Sequence, residues 1–292
     1  MFQIVATICV LLTQADAPQK VQKFTLDLHY AHQFDASVNN GGEVGVTQFG
    51  FELRFDTPIS DSDDLKWHFQ YQRDDWDFSG STGMGLIDPW SSIETIDASA
   101  TWFHEYNQKT QWFVGGIVKA SYEDSASHST VLGGTVGVIH SYSSDLTLGV
   151  GVGVLDQVLD DARVFPIFVV EWKLSDDLRL TSDISTRFGS RTGLELVWTP
   201  RKDWTLGAGV SYSYSRFKLD SSGFAPNGAG EASSVPITFR ATYHASPTFD
   251  VTIFAGIMYG GSLEITNQAS LQVLSEDYDP AGAFGIFGNI KF

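Results

Sequence analysis

The chain has 292 residues, of which 18% are charged, 13% are aromatic, 28 are glycine and one is cysteine. Charge this sparse falls below the roughly 25% of ordinary soluble proteins. A mean hydropathy of −0.06, with no internal run near the ~18 apolar residues of a transmembrane helix, excludes a helical membrane protein. A net charge of −17 without any basic run excludes nucleic acid as a partner, since nothing would meet its phosphates.

Residues 1–17, MFQIVATICVLLTQADA, carry an apolar stretch over 4–12 and a small-x-small pattern at 15–17, which predicts a secretory signal peptide. No Lys or Arg precedes the stretch and Pro18 follows the cut; a short N-terminal strand or lead is the alternative. Cleavage would remove Cys9 and leave a mature chain that forms no disulfide.

From residue 22 onward the chain reads as strands. In 24–30, Phe24, Leu26, Leu28 and Tyr30 take one face, with Asp27 and His29 on the other. In 47–55, Phe49, Phe51, Leu53 and Phe55 alternate with Gln48, Gly50, Glu52 and Arg54. In 65–72, Leu65, Trp67, Phe69 and Tyr71 alternate with Lys66, His68, Gln70 and Gln72. This period of two is that of a strand with two unlike faces. It continues through 95–104, 110–120, 130–142, 146–154, 164–173, 178–188, 191–199, 204–216, 235–244, 249–259 and 282–292, which predicts about fourteen strands, with twelve and sixteen as alternatives.

Connectors alternate in length. SDSDD, HEYNQK, SSD, SDD, PRKD and ASPT are short and polar; 34–45, 73–92, 121–129, 155–163, 217–234 and 260–281 are longer. An up-and-down meander with turns at one end and loops at the other has the plan of an outer-membrane barrel. Six of the eight tryptophans flank the short turns: Trp67, Trp102, Trp112, Trp172, Trp198 and Trp204. An indole there suits a headgroup-level girdle. The expected fold is all-β, one closed antiparallel up-and-down transmembrane barrel over 22–292, with both termini periplasmic.

The alternation runs to the last residue, through Ile290 and Phe292. A sheet in lipid must close on itself, so the last strand is expected to pair with the first. A terminal Phe after alternating hydrophobics also resembles the C-terminal signal of bacterial outer-membrane β-barrel proteins. The texture of WKLSDDLRL and WTPRKDWTLGAG is similar to uncharacterised, porin-like outer-membrane families. The resemblance implies outer-membrane lipid and the barrel-assembly machinery as partners; it implies no substrate.

Strand parity assigns lumen candidates. Asp27, His29, Glu52, Arg54, Lys66 and His68 form one group; Glu171, Arg179, Asp183, Arg187, Arg191, Glu195 and Arg240 form another. Mixed signs on adjacent strands read as cross-strand ion pairs that pin register, or as a charged constriction in which Arg179, Arg187, Arg191 and Arg240 favour anions. Gly149, Gly151, Gly153, Gly207 and Gly209 share the lumen face and are expected to leave space. GVGVG lacks the spacing of a nucleotide-binding loop. The acidic stretches RDDWD, YED, LDQVLDD and SEDYD read as solvated loops, and match no calcium loop. The histidines form no recognisable constellation with a nucleophile.

The expected function is a passive channel for small solutes, constricted by 73–92, 217–234 or 260–281, with too few residues before the first strand for a plug domain. The alternatives are a non-conducting structural or surface-binding barrel and a lipid or ester hydrolase. No cofactor, metal or catalytic residue is assigned.

Overall fold

The computed structural model describes residues 23–124, 126, 129–182 and 192–292. Among the described residues fifteen strands and one short helix succeed one another: β1 (Phe24–Ser37), β2 (Glu43–Pro58), β3 (Asp63–Ser79), α1 (Gly83–Ile87), β4 (Ser92–Asn107), β5 (Thr110–Glu123), β6 (Thr130–Ser141), β7 (Leu146–Gln157), β8 (Asp160–Lys173), β9 (Leu178–Thr181), β10 (Thr192–Arg201), β11 (Trp204–Lys218), β12 (Ala229–Ser246), β13 (Phe249–Thr266), β14 (Gln272–Tyr278) and β15 (Ala281–Lys291). From β1 to β13 each strand pairs antiparallel with the next. β15 pairs with β13 on one side and β1 on the other, Leu26 opposite Ile290 and Leu28 opposite Gly288. The sheet is therefore closed, its last strand position returning to the first.

The wall has fourteen strand positions, the predicted number. β14 and β15 share one position. Gly261 faces Tyr278 and Met258 faces Ala281, so both pieces keep one register along β13. The break falls at Asp279-Pro280, where proline has no N–H to give the ladder. The expectation of a loop over 260–281 is thus corrected. That segment completes the wall: Leu263 and Ile265 are fully buried.

Apolar residues point outward along the wall's lower and middle part. Val150 is 57% exposed and Phe168 62%, while the neighbouring Gly149 is buried. Such a surface is unfavourable in water and suits hydrocarbon. Strands of 17 or 18 residues, such as β3, β12 and β13, exceed the ~9–11 that cross a bilayer, so their loop ends stand beyond it. This corrects the acidic stretches. RDDWD lies within β3, SEDYD falls mostly in β14, and LDQVLDD is the tight β7–β8 hairpin. Above the bilayer a strand's outer face meets water, so apolar alternation is no longer required and the sequence reads as loop.

At the turn end the six predicted girdle tryptophans are all exposed. Trp102 Nε1 donates to Asp63 Oδ1 (3.1 Å), and Trp198 Nε1 to Asp177 Oδ2 (3.0 Å). The Ser175 hydroxyl and then the Trp198 indole hold the Asp177 carboxyl below its usual range.

At the loop end the inward face becomes apolar. Val44, Val46, Phe78 and Ile93 pack around Met84 and Trp90, which come from residues 80–91, and around Phe217, Leu219 and Ala225. The Trp90 ring lies 5.1 Å from Phe217, 5.3 Å from Phe78 and 5.8 Å from Trp76. Burying one such aromatic is worth roughly 4–6 kcal/mol by area. This apolar core fills the mouth. Beside it the wall is pinched: β5 and β11, six places apart, meet in a parallel bridge between Tyr122 and Lys218.

Candidate functional site

The first predicted group forms one chain of contacts inside the barrel. Asp27 accepts from Arg54 Nη2 at 2.8 Å and from Asn289 Nδ2 at 2.6 Å. Arg54 Nε lies 3.1 Å from Glu52 Oε1. His68 spans Glu52 (3.2 Å) and Asp97 (3.1 Å). The chain crosses β15, β1, β2, β3 and β4, because odd residues of β1 and even residues of β2 and β3 share the inner face. His29 is buried on that face, edge-on to Phe287. Lys66 Nζ sits 4.8 Å from the Phe103 ring centroid.

The described members of the second group, Glu171, Arg179, Glu195 and Arg240, make separate contacts. Glu195 and Arg240 make a buried bidentate pair at 2.7 and 2.9 Å, and Arg240 Nη1 donates to Thr242 at 2.8 Å. Glu171 accepts from Thr181. Arg179 is exposed near the 174–177 turn. Asp183, Arg187 and Arg191 lie outside the described residues, as do residues 1–17. Arg240 is neutralised by Glu195, so it offers a passing anion no free charge.

The glycines of β7 are not open space. A Cβ on Gly153 would fall 2.3 Å from the Phe165 ring; the missing side chain is filled by an aromatic from β8. Overpacking a filled site costs about 1–3 kcal/mol. We expect Gly153→Val to lower the temperature at which the detergent-solubilised barrel loses its folded electrophoretic mobility.

Parity over longer strands would have found further lumen residues. Lys119 follows Ile117 on the inner face of β5, and Arg163 precedes Phe165 on β8. Asp74 and Asp97 are buried on β3 and β4. Three spaces follow from these side chains. A polar central cavity of 380 Å³ is bordered by Gln48, His68, Gln72, Asp97 and Lys119. A side cavity of 400 Å³ lies between β5–β8, β10 and β11, reaches the outward-facing Val164, Pro166 and Phe168 of β8, and shares Lys119, Leu155, Phe165 and Tyr214 with the first. A rim basin of 440 Å³ shares Gln157, Arg163, Tyr214 and Arg216 with the second. The shared walls make them neighbours in series from mid-barrel to the loop end.

Arg216 fastens the top of the side cavity. Its Nη1 reaches Glu231 Oε2 at 2.9 Å and its Nε donates to the Val158 carbonyl at 2.8 Å. The Tyr214 hydroxyl spans Gln157 (3.1 Å) and Glu231 (2.8 Å). The β7–β8 hairpin is thereby tied across to β11 and β12. Among the described residues no group of three His, Cys, Asp or Glu could hold a metal.

Solved structures that resemble the whole barrel include the following two. A Pseudomonas aeruginosa FadL homologue matches with a TM-score of 0.54 at 12% identity, over 93% of this chain and 90% of that one. An outer membrane channel from Pseudomonas putida F1 matches with a TM-score of 0.50 at 7% identity, over 94% and 97%. At such identities the likeness is one of fold, an outer-membrane β-barrel. No curated protein matches the sequence. A family model described as "Domain of unknown function (DUF6268)" matches residues 90–291, from the apolar core at Trp90 to the closing strand, and the chain belongs to that family.

Proposed function

We propose that the protein is a passive outer-membrane channel for small solutes, with its turns periplasmic and its loops at the cell surface. The observation that carries this reading is the series of three cavities, in which a polar mid-barrel space borders a side cavity and then a rim basin beside the filled mouth. Two of the proteins with this fold are a FadL homologue and an outer membrane channel, which supports the reading. Export through the residue 1–17 signal and recognition of Ile290 and Phe292 by the barrel-assembly machinery belong to the same proposal. Among the described residues, the side chains of His32, His104, His140 and His244 are engaged by Thr47, Asp63, Thr110 and Asp250.

The test is single-channel recording in a planar bilayer under a salt gradient. Discrete conductance steps are expected, and Lys119→Glu should move the reversal potential toward cation selectivity, since the constriction's charge sets the sign of the permeant. A folded, heat-modifiable barrel that stays silent would overturn the channel reading. It would favour the second reading, a structural barrel, which the apolar core over the mouth supports.

A further inference from the structure

The side cavity is chemically unlike the central one. Val131, Leu155 and Phe165 give it an apolar wall, and the Tyr214 ring gives it a flat one. Three cations line it, of which Arg216 is already paired with Glu231. Arg163 lies flat against Tyr214, its guanidinium carbon 3.8 Å from the ring centroid. Lys119 borders both cavities.

Unlike Arg216, the other two cations of this cavity, Arg163 and Lys119, have no counter-ion within ion-pair distance among the described residues. Arg54, Arg73, Arg216 and Arg240 each hold a carboxylate within ion-pair distance. Asp74 and Asp97 act on Lys119 from the central side, beyond ion-pair range. The one carboxylate among the described residues around the side cavity, Asp156, is exposed. The rim basin above carries Asp160, Asp161, Glu231 and Glu264, so an anion reaching the cavity must be held by these local cations, not by the overall charge of −17. A mostly apolar cleft with a few placed polar groups is the usual form of a small-ligand site. Here those groups are cationic, and the Arg163 guanidinium, stacked on Tyr214 and already hydrogen-bonded to the Tyr212 and Tyr214 side chains, has further N–H groups among its five to offer a carboxylate.

We propose that the side cavity binds a small organic monoanion with a compact apolar body, an aromatic carboxylate being the fitting type. The carboxylate lies between Arg163 and Lys119, and the ring packs on Phe165 and Leu155. This deepens the channel reading by naming the solute class, and rests on that reading only for the claim that the ligand is then passed on.

The experiment is calorimetric titration of the full, detergent-solubilised chain with benzoate, with benzyl alcohol as the neutral analogue of similar size. Benzoate is expected to saturate, to bind at least about tenfold more tightly than benzyl alcohol, and to weaken at high salt. Arg163→Gln and Lys119→Gln should each weaken it severalfold, while Arg163→Lys retains part of the binding. Equal binding of the two probes, or an unchanged benzoate affinity in Arg163→Gln, overturns the proposal. If Arg163→Gln does not fold, Lys119→Gln decides, because it leaves the stack on Tyr214 intact. Binding needs no conduction. A silent barrel that binds benzoate would end the channel reading and keep this one; a conducting barrel indifferent to benzoate would do the reverse.

Discussion

Replacing Trp90 with alanine is expected to raise single-channel conductance severalfold. Trp90 is 1% exposed and stands at the centre of the mouth core, in contact with Phe78, Trp76 and Phe217. It joins the residues 80–91 connector to the wall. Truncating a buried aromatic costs about 3–5 kcal/mol, part of it as the cavity left behind. A short connector held by Met84 and Trp90 cannot absorb that loss, and the cheapest relaxation is to detach from the mouth. Water then enters directly above the central cavity. Trp90→Phe is the control. The Trp90 indole N–H is buried without a hydrogen-bond partner, and such a group is a cost of about 1–3 kcal/mol. Phenylalanine keeps the ring and removes that donor, so this variant should conduct like the parent and melt no lower. If Trp90→Ala also conducted like the parent, the mouth core would not be the constriction, and solute would pass only by the side cavity.

The wall was legible in the sequence wherever lipid dictates alternation. LKWHFQYQ has one face for hydrocarbon and one for the lumen, and its parity is the observed one. Legibility stopped where lipid stops. Beyond the bilayer both faces of β3 and β13 tolerate polar residues, so their loop ends read as connectors, and β14 went unseen behind Pro280. The mouth core had a signal of a subtler kind. Six tryptophans marked the turn end; of the remaining two, Trp90 is buried in the core and Trp76 is half-buried against it. The pairing of lumen charges was not legible, since parity places a residue inside without fixing the strand offsets that choose its partner. Glu195 and Arg240 lie on β10 and β12, two strand positions apart. They meet because Gly207, on β11 between them, has no side chain: a Cβ there would fall 2.5 Å from Glu195 Oε1 and 2.8 Å from Arg240 Nε.

That pair carries the second large effect, on stability. Glu195→Ala should lower the barrel's unfolding temperature by far more than loss of an exposed ion pair would. The Glu195 and Arg240 side chains are 1% and 5% exposed. Removing one partner of a buried pair leaves the other charge desolvated and uncompensated, a penalty of about 3–5 kcal/mol. Thr242 alone would remain to receive Arg240, through one neutral hydroxyl. Removing both charges abolishes the penalty, so Glu195→Ala with Arg240→Ala should recover most of the loss despite deleting more atoms. The recovery, read as the interaction energy of a double-mutant cycle, separates electrostatic strain from simple loss of packing. Gly207→Ala supplies an independent route to the same state, since the added methyl wedges the pair apart while keeping both charges. It should resemble Glu195→Ala in unfolding temperature. Should all three variants melt with the parent, the lumen at this level must be wet enough to solvate Arg240 by itself. The pair would then be a lining of the water path and not a brace of the wall.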